Sequence, residues 1–170
     1  LTITEPQVSR GERFSTTISG VPDTYYLLWV KDCSGKMTGY DCDQPPHILP
    51  GQEDVIYGKW QGYDFGETKI QCTDCFGCLK TVKDTVPDYP SDYYYYVLVR
   101  TDSAGQATVE WQTQTTEPNH PDISTKPGTY IIRAQPWVVD DLCTYDTWKI
   151  FAEETVTVIK GEFDLWTVVY

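Results

Sequence analysis

The chain predicts an all-β fold, an antiparallel β-sandwich, on three observations. In residues 93–114, YYYYVLVRTDSAGQATVEWQTQ, two β-prone segments meet at the turn Asp102-Ser103-Ala104-Gly105. A third β-prone segment, KPGTYIIRA at residues 126–134, follows a Pro-Gly lead-in. No stretch shows the three-to-four-residue apolar spacing of an amphipathic helix, so strands separated by Gly, Pro and Asp turns account for the pattern.

Each element follows in order. Residues 1–4 (LTIT) alternate and stop at Glu5-Pro6. Residues 13–19 (RFSTTIS) form a second strand between Gly11 and Gly20, after which Val21-Pro22-Asp23 turns the chain. Residues 24–31 (TYYLLWVK) are strongly β-prone, and their continuous apolar centre predicts burial on both faces. Trp29 falls where sandwiches of this kind place a core tryptophan. Residues 32–92 differ. They hold Cys33, Cys42, Cys72, Cys75 and Cys78 with many glycines and prolines, and are expected to form a disulfide-rich insertion. Within it, residues 54–60 (DVIYGKW) and 67–71 (ETKIQ) are candidate short strands, and residues 85–92 a loop.

Regular alternation returns at Tyr93. Tyr94, Tyr96, Leu98 and Arg100 are expected on one face of that strand, with Tyr93, Tyr95, Val97, Val99 and Thr101 on the other. Val109 and Trp111 share a face of the next strand, and Tyr130, Ile132 and Ala134 alternate after Gly128. Residues 147–152 and 155–160 give one or two further strands. The tail, residues 162–170, is again β-prone and apolar. The expected organisation is one domain spanning residues 1–170.

Composition narrows the function. The chain has 170 residues, 40% of them hydrophobic, enough for a core of its own. Its net charge of −12 opposes binding to nucleic acid or to anionic lipid. No apolar run reaches the length of a membrane span. The even count of 6 cysteines fits an oxidising compartment. The chain opens at Leu1 without a basic or apolar leader, as expected for a processed exported protein or for a stretch of a longer one. Asn119 is followed by His120-Pro121, so it forms no glycosylation sequon.

The most chemically suggestive motif is CTDCFGC, with Cys72, Cys75 and Cys78 at C-x-x-C-x-x-C spacing. A cluster or metal would need a fourth thiolate, and Cys143 is remote in sequence. The expected reading is a disulfide framework, with metal as the alternative. Six cysteines allow 15 pairings. One arrangement joins Cys33 to Cys42 and one of Cys72, Cys75 and Cys78 to Cys143, with the other two paired to each other, while an intersubunit bond stays open. Asp41, Asp43, Asp140, Asp141 and Asp146 crowd two cysteines but lack the spacing of a calcium loop. No cofactor is expected, and calcium has no motif behind it. His47 and His120 both neighbour prolines and are expected in loops, and no nucleophile–base pair or phosphate-binding Gly loop is visible. The expectation is a protein that is not an enzyme.

Two features suggest assembly. Tyr93, Tyr94, Tyr95 and Tyr96 place phenols on both faces of one strand, suited to protein contacts or to stacking on sugars. The tail Asp164, Leu165, Trp166, Thr167, Val168, Val169 and Tyr170 is an apolar strand that must pair with its own sheet or with another subunit's.

The segments TDSAGQATVEWQT and KPGTYIIRA resemble the closing strands of immunoglobulin-like domains in prokaryotic surface proteins. The opening segment EPQVSRGERFSTTISGVPDTYYLLWV is similar to the first strands of immunoglobulin-like modules in the S-layer and sheath proteins of methanogenic archaea. The resemblance covers the two ends of the chain and leaves the Cys-rich middle unmatched. It implies an exported, extracellular structural unit of a cell envelope, with Tyr130 near the corner entering a late strand. The expectation is therefore a self-assembling subunit of a sheath, S-layer or related surface polymer, its partner a copy of itself. The alternative is a monomeric adhesion or carbohydrate-binding module using the tyrosine strand or the surroundings of Trp60 and Trp137, with cell-surface glycans as partners.

Overall fold

Arg13 to Ser19 alternate in the pattern a half-buried strand requires: Phe14, Thr16 and Ile18 are buried, while Arg13 and Ser19 are exposed. This strand, β3 (Arg13–Ser19), sits in a four-stranded sheet ordered β1 (Thr2–Ile3), β3, β12 (Gln106–Gln112) and β5 (His47–Ile48). The computed structural model describes residues 1–31, 45–72, 78–82, 94–113, 125, 127–137 and 151–160. The expected loop at residues 85–92, the start of a strand at 147 and the tail lie outside them.

A six-stranded sheet faces the first. Its order is β2 (Gln7–Ser9), β14 (Ala152–Ile159), β13 (Gly128–Pro136), β4 (Tyr25–Lys31), β11 (Tyr96–Arg100) and β6 (Val55–Ile56). Every pairing is antiparallel except β2 on β14. The fold is thus all-β, and among the described residues helical geometry is limited to 3₁₀ conformation, in the turn Phe65–Glu67 and at Val82.

The two sheets share one apolar core. Phe14, Ile18, Val109 and Trp111 enter from one side, and Leu28, Val30, Val97, Val99, Tyr130, Ile132, Val156 and Val158 from the other. Phe14 and Trp111 stack with centroids 5.8 Å apart and planes 9° apart. The buried indole N–H of Trp111 is satisfied by Thr16 Oγ1 at 3.1 Å.

A second cluster lies on the far face of the six-stranded sheet. Leu27, Trp29 and Leu98 are buried there with Phe65, Val82 and Trp137, flanked by Tyr25, Ile56, Trp60 and Tyr96. The centre of that run, Tyr26 to Val30, is therefore buried on both faces, as its apolar character predicted. Trp29 is buried, but with Leu27 in this outer cluster, not between the sheets; the inter-sheet tryptophan is Trp111. Strand parity is the reason, since Trp29 has the parity of Leu27 and not of Leu28 and Val30.

The middle of the chain serves both sheets. β5 extends the four-stranded sheet and β6 the six-stranded one. The single strand expected at residues 54–60 is split into β6 and β7 (Lys59–Trp60), with Gly58 at φ 77° between them. β7 pairs with β8 (Tyr63–Asp64), and β9 (Lys69–Cys72) with β10 (Cys78–Thr81). The tyrosine run is also not continuous. The carbonyl of Tyr94 accepts from Ile48 N–H of one sheet, and that of Tyr95 from Val30 N–H of the other. Tyr94 consequently packs at the edge of the inter-sheet core and Tyr96 in the outer cluster, so the two do not share a face.

Where β11 hands over to β12, two turns clasp each other. Gly20 N–H donates to Gly105 O at 2.7 Å, and Asp23 N–H to Asp102 O at 3.1 Å. The buried Thr101 hydroxyl accepts from Thr24 N–H at 2.9 Å and donates to Val21 O at 2.6 Å. Asp102 Oδ1 accepts from Ala104 and Gln106 N–H. Gly105 has φ 81°, and a Cβ there would overlap the carbonyl oxygen of Gly20. Gly62 has φ 80° but open space around it. Gly105→Ala is expected to cost about 2–3 kcal/mol and Gly62→Ala about 1 kcal/mol. Urea unfolding of both variants checks this, and equal losses would show that the clasp is not tight.

Candidate functional site

The surfaces able to meet a partner are set by what covers each sheet. The outer side of the four-stranded sheet is polar. Thr17 and Thr108 bond through their hydroxyls at 3.1 Å across β3 and β12. The outer side of the six-stranded sheet is aromatic. Arg133, buried in β13, lies 5.7 Å from the centroid of the Trp29 ring and 3.5 Å from that of Phe151, whose ring is 46% exposed.

Beside it stands the β7–β8 hairpin, which reverses at Gln61 (φ 49°) and Gly62 (φ 80°), a two-residue turn with both central residues left-handed. Trp60 and Tyr63 are opposed across that hairpin, Tyr63 is 45% exposed, and the Trp60 ring lies 5.3 Å from Tyr25 at a tilt of 39°. Asp64 caps the following 3₁₀ turn by accepting from Gly66 N–H at 3.0 Å. Trp60 is half-buried against Tyr25, and Trp137 is buried, its indole donating to Thr68 Oγ1 at 3.0 Å.

The tyrosine run lies mostly within the molecule. Tyr95 is buried, Tyr94 is half-buried with its ring 4.4 Å from Tyr57, and Tyr96 is half-buried in T-shaped contact with Phe65. Tyr93 and the tail residues Asp164 to Tyr170 lie outside the described residues, as do Cys33, Cys42, Cys75, Cys143 and the acidic positions 41, 43, 140, 141 and 146. Cys72 and Cys78 are placed, and they are register partners. Among the described residues no group of three or more His, Cys, Asp and Glu gathers to hold a metal, and no helix is long and apolar enough to cross a membrane. Tyr130, assigned to a corner by resemblance, sits in β13 fully buried in the inter-sheet core.

The sheet edges are unequal. β1, β5 and β6 have two residues each, and β6 lies between the left-handed Asp54 (φ 57°) and Gly58 (φ 77°). The rim of β12 is occupied by other means. Gln52 turns its carboxamide onto Glu110, accepting its N–H at 2.8 Å and donating to its carbonyl at 3.0 Å. At Gln106 the Asp102 carboxylate accepts the backbone N–H, and the backbone N–H of Asp102 donates to the Gln106 carbonyl at 2.8 Å. Among the described residues, β2 pairs with Thr157, Val158 and Ile159 of the eight residues of β14, much as β1 pairs with Thr16 and Thr17 of the seven of β3. Thr157 directs its N–H outward to Pro6 O at 2.8 Å, and the two-residue period puts Thr155 on the same outward side. No described strand lies beyond Thr155. The sequence signalled neither this rim nor the Gln52 bridge, since both depend on where neighbouring strands end.

No protein-family model matches the chain, and no curated protein matches it.

His47 was expected in a loop but lies in β5, buried, with its ring 6.4 Å from Tyr95. Burial lowers its pKa from 6.5 to about 4. As pH falls through that window, the unfolded chain takes up the proton before the folded one, so stability present above pH 6.5 is lost on the way to about 4, by up to about 3 kcal/mol. Urea midpoints measured against pH are expected to fall more steeply for the native chain than for His47→Gln. Parallel profiles would show that His47 does not set this slope.

Proposed function

We propose that this chain is an extracellular, non-catalytic structural subunit, an immunoglobulin-like β-sandwich that self-assembles into a sheath, S-layer or related surface polymer. Several features of the strand arrangement support the immunoglobulin-like reading. The first strand divides between the sheets, β1 antiparallel to β3 and β2 parallel to β14. The remaining order pairs β3 with β12, and β14 through β13 and β4 to β11, with the cysteine-rich segment inserted between β4 and β11.

The observation carrying the assembly reading is the β14 rim. Strand addition is a recurrent way to join chains, and Thr155, on the outward side of β14 with no described strand paired to it there, offers a place for it. Among the described residues of the two large sheets, β1, β5 and β6 are two-residue edges and β2 a three-residue one. Repetition of one such heterologous contact builds a ring or an open array. Acidic charge keeps single subunits soluble until the contact forms.

The second reading, a monomeric adhesion or carbohydrate-binding module, is favoured by the exposed Tyr63 beside Trp60 and Tyr25. Glycan binding lost in Trp60→Ala, with uniform monomers by electron microscopy, would favour it over the first.

Negative-stain electron microscopy over a concentration series is expected to show tubes, hoops or sheets. Deleting residues 164–170 is expected to leave folded monomers. Thr155→Pro removes one outward N–H without a β13 partner, and is expected to suppress polymers while far-ultraviolet circular dichroism stays native. Undiminished polymers in both variants would refute strand addition at this rim.

A further inference from the structure

The β9–β10 register sets Cys72 directly opposite Cys78. Opposed residues in an antiparallel pair have Cα atoms about 4.5–5.5 Å apart. That spacing falls inside the range of about 4.4–6.8 Å that a disulfide bridges.

Two further observations point the same way. β9 and β10 form a sheet of their own, with no ladder to either large sheet, and an isolated two-stranded ribbon is marginal in water. Its base is secured, with Val82 buried in the outer cluster and its N–H donating to Thr68 O at 3.1 Å. The ladder is irregular along its length, with register shifts between Cys78 and Lys80 and between Lys80 and Thr81. Backbone pairing alone therefore fixes this register weakly, and a covalent link between the opposed cysteines would fix it.

We propose that Cys72 and Cys78 form a disulfide that closes the β9–β10 hairpin. The two thiols give up two protons and two electrons, and a sulfur–sulfur bond forms. The electrons pass to an exogenous disulfide, of a small molecule or an oxidoreductase, which is reduced to two thiols. Cys33, Cys42, Cys75 and Cys143 remain for the other bonds. The C-x-x-C-x-x-C run is then unable to offer three thiolates to a metal or cluster. This inference concerns connectivity and stands or falls independently of polymer formation.

Alkylation of the native chain without reduction, followed by cleavage after Lys69, Lys80 and Phe76 and before Asp74, separates the three cysteines into fragments 70–73 (IQCT), 74–76 (DCF) and 77–80 (GCLK). Mass spectrometry is expected to find IQCT joined to GCLK, with both released on reduction. Either fragment joined to DCF, both fragments alkylated as free thiols, or a bound metal in native spectra would overturn the proposal. As a second measurement, Cys72→Ser and Cys78→Ser should each expose one new titratable thiol relative to the native chain. No gain in either variant would also overturn it.

Discussion

Burial of β4 on both faces is the constraint from which the rest follows. Leu28 and Val30 belong to the core between the sheets, and Leu27 and Trp29 to the cluster outside. A two-layer sandwich would leave that outer set in water, at about 1.5–3 kcal/mol for each large apolar side chain. The middle of the chain resolves this by bringing Phe65 and Val82 over the sheet, joined by Trp137 from the end of β13. The segment that interrupts the sandwich pattern is thus a third layer, and the outer half of β4 depends on it.

The other requirement is that two sheets with different strand directions stay in fixed relation. The inter-sheet core holds them by apolar contact, but such contact is non-directional. The clasp of the two turns supplies direction, with Thr101 buried and bonded to both Val21 and Thr24. Tyr26 adds to it by accepting from Val21 N–H at 2.9 Å, its hydroxyl filling the space a side chain at Gly20 would need. A polar corner and an apolar interior together hold the two sheets in one arrangement.

The strands at either end of the chain were legible because their side chains obey the two-residue period. Residues 13–19, 24–31, 106–112 and 128–136 all alternate or run apolar where the structure places strands. What escaped was anything depending on which face a neighbour covers. Trp29 belongs to a strand that was expected, but parity alone does not say that a third layer will lie above it. The tyrosine run looked like one surface strip, yet a bend at Tyr95 sends Tyr94 and Tyr96 to different layers. His47 beside two prolines suggested a loop, and its two-residue strand exists because β12 offers an edge to join. Edge availability, on which the assembly reading turns, is a property of strand lengths relative to one another and has no local signature.

The Gln52 bridge gives the molecule a sense of direction. One side chain stands in for a strand at Glu110, so the rim of the four-stranded sheet ends in a group that cannot pass hydrogen bonding on to a newcomer. At the opposite sheet, β14 runs on past the residues that β2 pairs with among those described. Copies joined through the β14 rim and a different patch of the next copy would all face one way, so a filament of them would be polar along its length. Its two tips would differ chemically, and length could be governed at one tip without touching the other.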